Sequence, residues 1–244
     1  MRNIKLTIAY DGTRYRGWQL QSNGVTVQGE LEKAILKLTG KKSRLSGASR
    51  TDSGVHARCQ AANFRTSSKI PAEKIPYALN QLLPSDISVI DASEEDHDFD
   101  SRFSAREKTY RYYIYISKSR DPFREKYAWR VLYPLNALLM KREAKALLGK
   151  HDFKSFQASD KRERSSTRTI LGIDVSRKKE EVIITVRGDG FLYNMVRNIA
   201  GTLVDIGRGY LAPGSMKAIL AAKDRTKAGP TAPARGLFLE KIVY

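Results

Sequence analysis

One carboxylate stands out by its setting. In Gly47-Ala48-Ser49-Arg50-Thr51-Asp52-Ser53-Gly54-Val55-His56-Ala57, Asp52 lies between an arginine and a glycine. The glycines at 47 and 54 let the peptide turn tightly and approach a ligand closely. Arg50 and Asp52 are two apart, so in extended chain they point the same way. A carboxylate kept ionised by a nearby cation can act as a nucleophile toward an electrophilic carbon. Asp-Ser-Gly is equally the composition of a plain turn, with Asp52 bonded to its own backbone. Other chemistry is thinner. His56 and Cys59 have His-x-x-Cys spacing, but a single cysteine and three histidines supply no further soft ligands, so no metal is expected. His56 reads as packing beneath the loop. No histidine pairs with a plausible Ser or Cys nucleophile, which leaves no sign of a hydrolase triad.

The elements that must position Asp52 can be read from pattern. Ile4, Leu6, Ile8 and Tyr10 alternate with polar neighbours and predict an opening strand. The loop after it, Thr13-Arg14-Tyr15-Arg16-Gly17-Trp18-Gln19, mixes arginines with aromatics, which suits phosphates and bases. A solvated loop with Trp18 packed inward would look the same. Val27, Leu31, Ala34, Ile35 and Leu38 share one helical face, with Thr26 as cap and Gly40 past the end. Arg44–Ser46 and Cys59–Arg65 read as strands, which leaves Asp52 in the bend between them. Pro71 opens a second helix that Pro84 stops. Residues 91–100, with six acids and one histidine, read as a charged, solvated connector, and the spacing fixes no cation.

The second half repeats the rhythm. It has a strand at 110–116, a helix at 137–148, paired strands at 169–175 and 182–187, a helix through Phe191–Ile206, a short helix after Ser215 and a final strand at 237–244. The expected class is therefore α/β (α+β). Two similar subdomains, 1–101 and 102–244, would share a central, largely antiparallel or mixed sheet flanked by helices. Charge divides unevenly. The chain has 44 basic and 26 acidic residues, a net +18, with a surplus of only 2 in residues 1–101 and of 16 in 102–244. That is too large for an ordinary enzyme of small neutral substrates and points to a polyanion, nucleic acid above all. Arg162, Arg164 and Arg168 are expected on that surface. No apolar run approaches the roughly twenty residues that span a bilayer, so no membrane is expected. The opening residues lack a signal-peptide core, and the chain reads as cytoplasmic.

Four motifs in order carry a resemblance: Ser49-Arg50-Thr51-Asp52-Ser53-Gly54-Val55-His56-Ala57, Lys108-Thr109-Tyr110-Arg111-Tyr112, Phe191-Leu192-Tyr193-Asn194-Met195-Val196-Arg197, and Pro230-Thr231-Ala232-Pro233 leading to Gly236-Leu237. Together they resemble the tRNA pseudouridine synthase A family. The resemblance implies the pseudouridine synthase fold and a homodimer gripping one transfer RNA, with targets on the 3′ side of the anticodon loop and stem. No cofactor or metal is implied. It makes Asp52 the catalytic carboxylate and Arg197 the arginine that pairs with it. Tyr110 stacks on the target base or assists proton transfer. Arg50, Arg14, Arg16, His56 and Leu237 complete the expected substrate-contacting set. Whether Asp52 attacks ribose C1′, attacks uracil C6 or draws a proton from C2′ stays open.

Overall fold

The opening alternation becomes strand β1 (Arg2–Tyr10), with Ile4, Leu6 and Ile8 wholly buried. The structure is a computed structural model and describes residues 1–159 and 165–244; Arg162 and Arg164 lie outside the described residues. Helix α1 (Val27–Thr39) starts where Thr26 accepts the Gly29 N–H and stops at Gly40, which takes a left-handed φ of 71°. A two-residue strand, β2 (Ser46–Gly47), and a long one, β3 (His56–Thr66), pair antiparallel and enclose the Asp52 loop. The second helix is shorter than its sequence pattern: one 3-10 turn at Ala72–Lys74, then α2 (Ile75–Asn80). Asn80 ends it by turning its amide outward. The amide donates to Val89 O at 2.9 Å and accepts from Val89 N–H at 2.8 Å. These bonds occupy the open edge of β4 (Ile87–Glu95).

The acidic run is not a free connector. Its first half belongs to β4, which pairs antiparallel with β1. Glu94 meets Arg2 at 2.9 Å, and Glu95 pairs with Lys5. Asp100 accepts the N–H groups of Arg102 and Phe103 through one oxygen and the Ser46 hydroxyl through the other. Cross-strand partners explain what composition alone presented as solvated charge.

Beyond Arg106 a second compact unit runs from Glu107 to Leu237. It comprises β5 (Glu107–Ile116), β6 (Trp129–Val131), α3 (Ala137–Ala144), β7 (Gly149–Asp152), β8 (Thr167–Lys178), β9 (Glu181–Gly188), α4 (Met195–Gly207) and α5 (Ser215–Ala222). Its strands lie in the order β5-β9-β8-β7, all neighbours antiparallel, with β6 parallel to β5. Helix α4 is the core of this unit: every residue in it except Arg197 is buried. A helix buried nearly all round is an interior element, so one cation on its surface needs a reason.

The chain then returns. Strand β10 (Leu237–Val243) lies parallel to β3, with Phe238 opposite His56 and Leu239 opposite Ala57. The first unit is thus Met1–Arg106 completed by Phe238–Tyr244, and its sheet order is β4-β1-β3-β10. The Arg106 N–H donates to Val243 O at 2.8 Å, and the Tyr244 hydroxyl to Ser101 O at 3.1 Å. Both units are mixed α/β layers of sheet and helix.

Candidate active site

In the first unit Asp52 is held chiefly through its neighbours' main chain. Gln60, fully buried on β3, donates to Ser49 O at 2.8 Å and accepts from Ser49 N–H at 3.2 Å. The Ala48 N–H reaches Ala61 O at 2.8 Å. One residue before Asp52, the buried Thr51 hydroxyl meets the Tyr10 hydroxyl at 2.7 Å, and its carbonyl accepts the Trp18 N–H at 3.1 Å. After Asp52 the chain reverses, closed by Val55 N–H to Asp52 O at 3.1 Å. Tyr15 O receives both the Gly54 N–H, at 3.3 Å, and the Ser53 hydroxyl, at 3.2 Å. Gly17 allows this approach: a Cβ there would stand 2.5 Å from Thr51 O, and its φ of +85° already disfavours a side chain. Asp52 itself is half-buried, on a loop whose path is fixed from both ends.

The arginine–aromatic loop is therefore the support of the Asp52 loop. Trp18 is 1% exposed and packs near Tyr10, the inward alternative to a stacking platform. Arg14 makes two hydrogen bonds to one oxygen of Asp86, at 2.8 and 2.6 Å. Arg16 and Arg50 are exposed. His56 is 1% exposed and lies flat on Phe238, with ring centroids 4.5 Å apart, and its Nδ1 accepts the Gly12 N–H at 3.1 Å. The same nitrogen stands 3.1 Å from Asp11 Oδ1. Two Thr13 donors already occupy that oxygen, so the backbone N–H has the better claim on the nitrogen's lone pair. His56 has the packed position under the loop. Among the described residues no three His, Cys, Asp or Glu side chains are grouped to hold a metal ion.

The second unit holds Arg197 by different means. It stands in the first turn of α4, where a cation opposes the helix dipole and the turn itself holds no acidic residue. Its Nε donates to Ala232 O at 2.8 Å and its Nη1 to Asn194 Oδ1 at 3.0 Å, while Ala232 N–H returns a bond to Arg197 O. Asn194, before the helix, is held at a φ of 58°, costly for a residue with a Cβ. The segment carrying Ala232 is clamped in turn. Asn198, fully buried, accepts from the Thr231 hydroxyl at 2.6 Å and from Arg225 at 3.0 Å, and donates to Phe156 O at 2.8 Å. Burial lowers the pKa of Arg225. Gly201 lets the segment lie against the helix: a Cβ there would meet Pro230 O at 1.8 Å.

Tyr110 is 6% exposed on β5, its ring edge-on to Phe191 with centroids 5.2 Å apart. Two residues on, the Tyr112 hydroxyl donates to Pro233 O at 2.7 Å. Burial drives the Tyr112 pKa far above its ordinary value, with Arg197 and Arg235 pulling the other way. Leu237, at the close of this unit, is 5% exposed. Gln60, Asp86, Asn198 and Arg225 were not singled out by sequence. Asn198 had a legible signal, an amide on the apolar face of a helix and adjacent to Arg197.

A family model described as tRNA pseudouridine synthase matches residues 6–104 and 144–244. The chain is similar along its whole length to proteins named tRNA pseudouridine synthase A. With that of Thermoanaerobacter sp. (strain X514) it shares 49% identity over 244 residues, covering 100% of both chains. With those of Caldicellulosiruptor bescii and Clostridium acetobutylicum it shares 50% and 47%, again over 100% of both. A solved structure of a Cbf5-Nop10-Gar1 complex matches at a TM-score of 0.41 and 12% identity over 97% of this chain and 48% of that one, too distant to bear on the site.

Proposed function

The chain belongs to the tRNA pseudouridine synthase family, and on that premise we propose that it converts uridines to pseudouridine on the 3′ side of the anticodon loop and stem of transfer RNA. The reaction breaks the bond from uracil N1 to ribose C1′, turns the base and joins C5 to C1′. C5 gives up a proton and N1 takes one up, so atoms and electrons balance without a co-reactant. The proposal assigns Asp52 as the reacting carboxylate, whether it acts at C1′, at C6 or on the C2′ proton. Each route needs it ionised, and Arg197 has the part of the cation that keeps it so. Tyr110 stacks on the base or carries a proton. Arg50 and Arg16 contact the RNA, and Leu237 lines the site.

The observation that supports this most is how Asp52 is held. A loop fastened at Ser49, Thr51, Ser53 and Gly54 presents one half-buried carboxylate with little freedom to reorganise, which a reacting group requires. The net charge of +18 supplies the attraction for the polyanion. A paired base must leave its stack first, at a cost of roughly a few kcal/mol. The reading extends to a cytoplasmic homodimer that grips one RNA. Incubation with unmodified transfer RNA, with and without chelator, tests it: nucleoside analysis should show pseudouridine in both. Intact, unmodified RNA would reduce the protein to a binder, and cleavage abolished by chelator would make it a nuclease. Sedimentation with and without RNA checks the dimer.

A further inference from the structure

We propose that Asp86 is a positioning residue for Asp52, acting through Arg14 and Tyr15. The inference rests on the reading of Asp52 as the reacting group and adds a residue outside the four motifs. Asp86 sits at the entrance to β4, with its side chain 15% exposed. One carboxylate oxygen takes both Arg14 bonds and the other takes the Tyr15 hydroxyl at 2.5 Å. Its carbonyl accepts the Asp11 N–H at 2.9 Å. Asp11 in turn caps the short turn Gly12–Arg14 by accepting the Thr13 N–H. Asp86 therefore grips the 11–15 segment at its start and at its end.

What that segment carries gives the grip its consequence. Tyr15 O is the acceptor for both Ser53 and Gly54, the two residues after Asp52. Three residues on, the Trp18 N–H holds Thr51 O, immediately before it. The Tyr15 ring is 4% exposed, so the hydroxyl reaches Asp86 through a packed interior and cannot swing to another partner without opening it. Burial and the Asp86 carboxylate together raise the Tyr15 pKa, which keeps the hydroxyl a donor throughout the neutral range. Without Asp86, Arg14 and Tyr15 lose their common anchor, and the carbonyl under Ser53-Gly54 is free to shift. A displacement on the order of 1 Å at a reacting group costs up to about a hundredfold in rate.

Single-turnover kinetics on unmodified transfer RNA and amide hydrogen exchange over residues 52–55 test this on the full chain. Asp86→Ala and Tyr15→Phe should each lower the single-turnover rate constant about tenfold or more while RNA affinity stays within about twofold. The double variant should be no slower than the slower single, because both break one linkage. Asp86→Asn, which still accepts from Tyr15, should recover part of the loss. Exchange at Gly54 should quicken in both single variants, which reads the positioning even if the wild type forms no pseudouridine. Wild-type rate in either folded variant, unchanged exchange at Gly54, or weakened binding with an intact saturated rate would overturn the proposal. Should Asp86→Ala fail to fold, Tyr15→Phe, which removes one oxygen, decides alone.

Discussion

Asp52 and Arg197 are secured in opposite ways. Asp52 rides on a loop pinned mostly by main-chain groups of residues 15, 18 and 61 and by the Gln60 amide. Arg197 projects from a rigid buried helix, and its own guanidinium is tied to Ala232 O and Asn194. The two units differ in charge as well. The first has 17 basic and 13 acidic residues, the second 27 and 13. A nearly balanced unit carries the carboxylate, and a strongly basic one carries its expected cation. The difference separates two kinds of sensitivity. Substitutions around Asp52 should be felt in rate, and substitutions on the surface of the second unit in affinity.

The largest effect should come from Asp52→Ala. No core depends on its side chain, so circular dichroism should match the wild type. Filter binding should be equal or slightly tighter, since a negative charge has left an RNA-binding surface. Pseudouridine should fall below detection. Retained activity in the folded variant would break the division between rate and affinity at its centre.

Next come two glycines, one on each side of the comparison. Gly201→Ala sets a Cβ 1.8 Å from Pro230 O, and Gly17→Ala sets one 2.5 Å from Thr51 O. Each should destabilise by roughly 1–3 kcal/mol, read as a lower melting temperature. Gly201→Ala should lose more, because helix α4 cannot give way. Gly17→Ala should also slow single turnover at unchanged affinity; a rate equal to wild type would show that the 12–18 loop supports the fold and not the carboxylate.

Salt dependence sharpens the charge difference. Binding should weaken steeply with salt as counterions are released from phosphates. Reversing Arg162, Arg164 and Arg168 together should flatten that slope more than reversing Lys33, Lys37 and Lys41. Equal slopes would remove the second unit's claim to the polyanion surface. Tyr110→Phe should act more mildly still, keeping RNA affinity while slowing turnover, since the ring remains against Phe191. Unchanged single-turnover kinetics would leave Tyr110 as packing. The smallest effect lies at alkaline pH. Burial pushes the Tyr244 pKa up to about 12 from 10, so its contribution to stability is complete below pH 10 and is lost as pH rises through 12. Denaturant midpoints for wild type and Tyr244→Phe should converge toward the upper end of that window.

Much of this was written locally in the chain. Thr26 and Gly40 bound α1, and the bend holding Asp52 falls between strands at 46–47 and 56–66. The hairpin of β8 and β9 joins the two strands that sequence pairs, turning at Lys179 with a φ of 53°. What was hidden depends on partners far away. Glu94 and Glu95 look like solvated charge until Arg2 and Lys5 are brought opposite them. Nothing near Arg14 in sequence announces Asp86, which lies seventy-two residues on and accepts from its guanidinium. Trp18 could stack or pack, and only burial decides. Residue type gives the chemistry of a group, whereas its partner depends on topology that local pattern does not encode.

The place of β10 bears on how the protein comes into being. Residues from both ends of the chain share the first unit's sheet, and Arg106 bonds to Val243 although the whole second unit separates them in sequence. On a ribosome the strands around Asp52 emerge early, yet the parallel neighbour of β3 follows only after the whole second unit. Closing so long a loop costs entropy that grows as (3/2)RT ln n, and non-local pairing of this kind slows folding. The second unit, contiguous in sequence, can assemble while the first still waits for its final strand. The unit begun first is completed only after the second has been made, so a nascent chain exposes the flank of β3 to chaperones and proteases until β10 emerges.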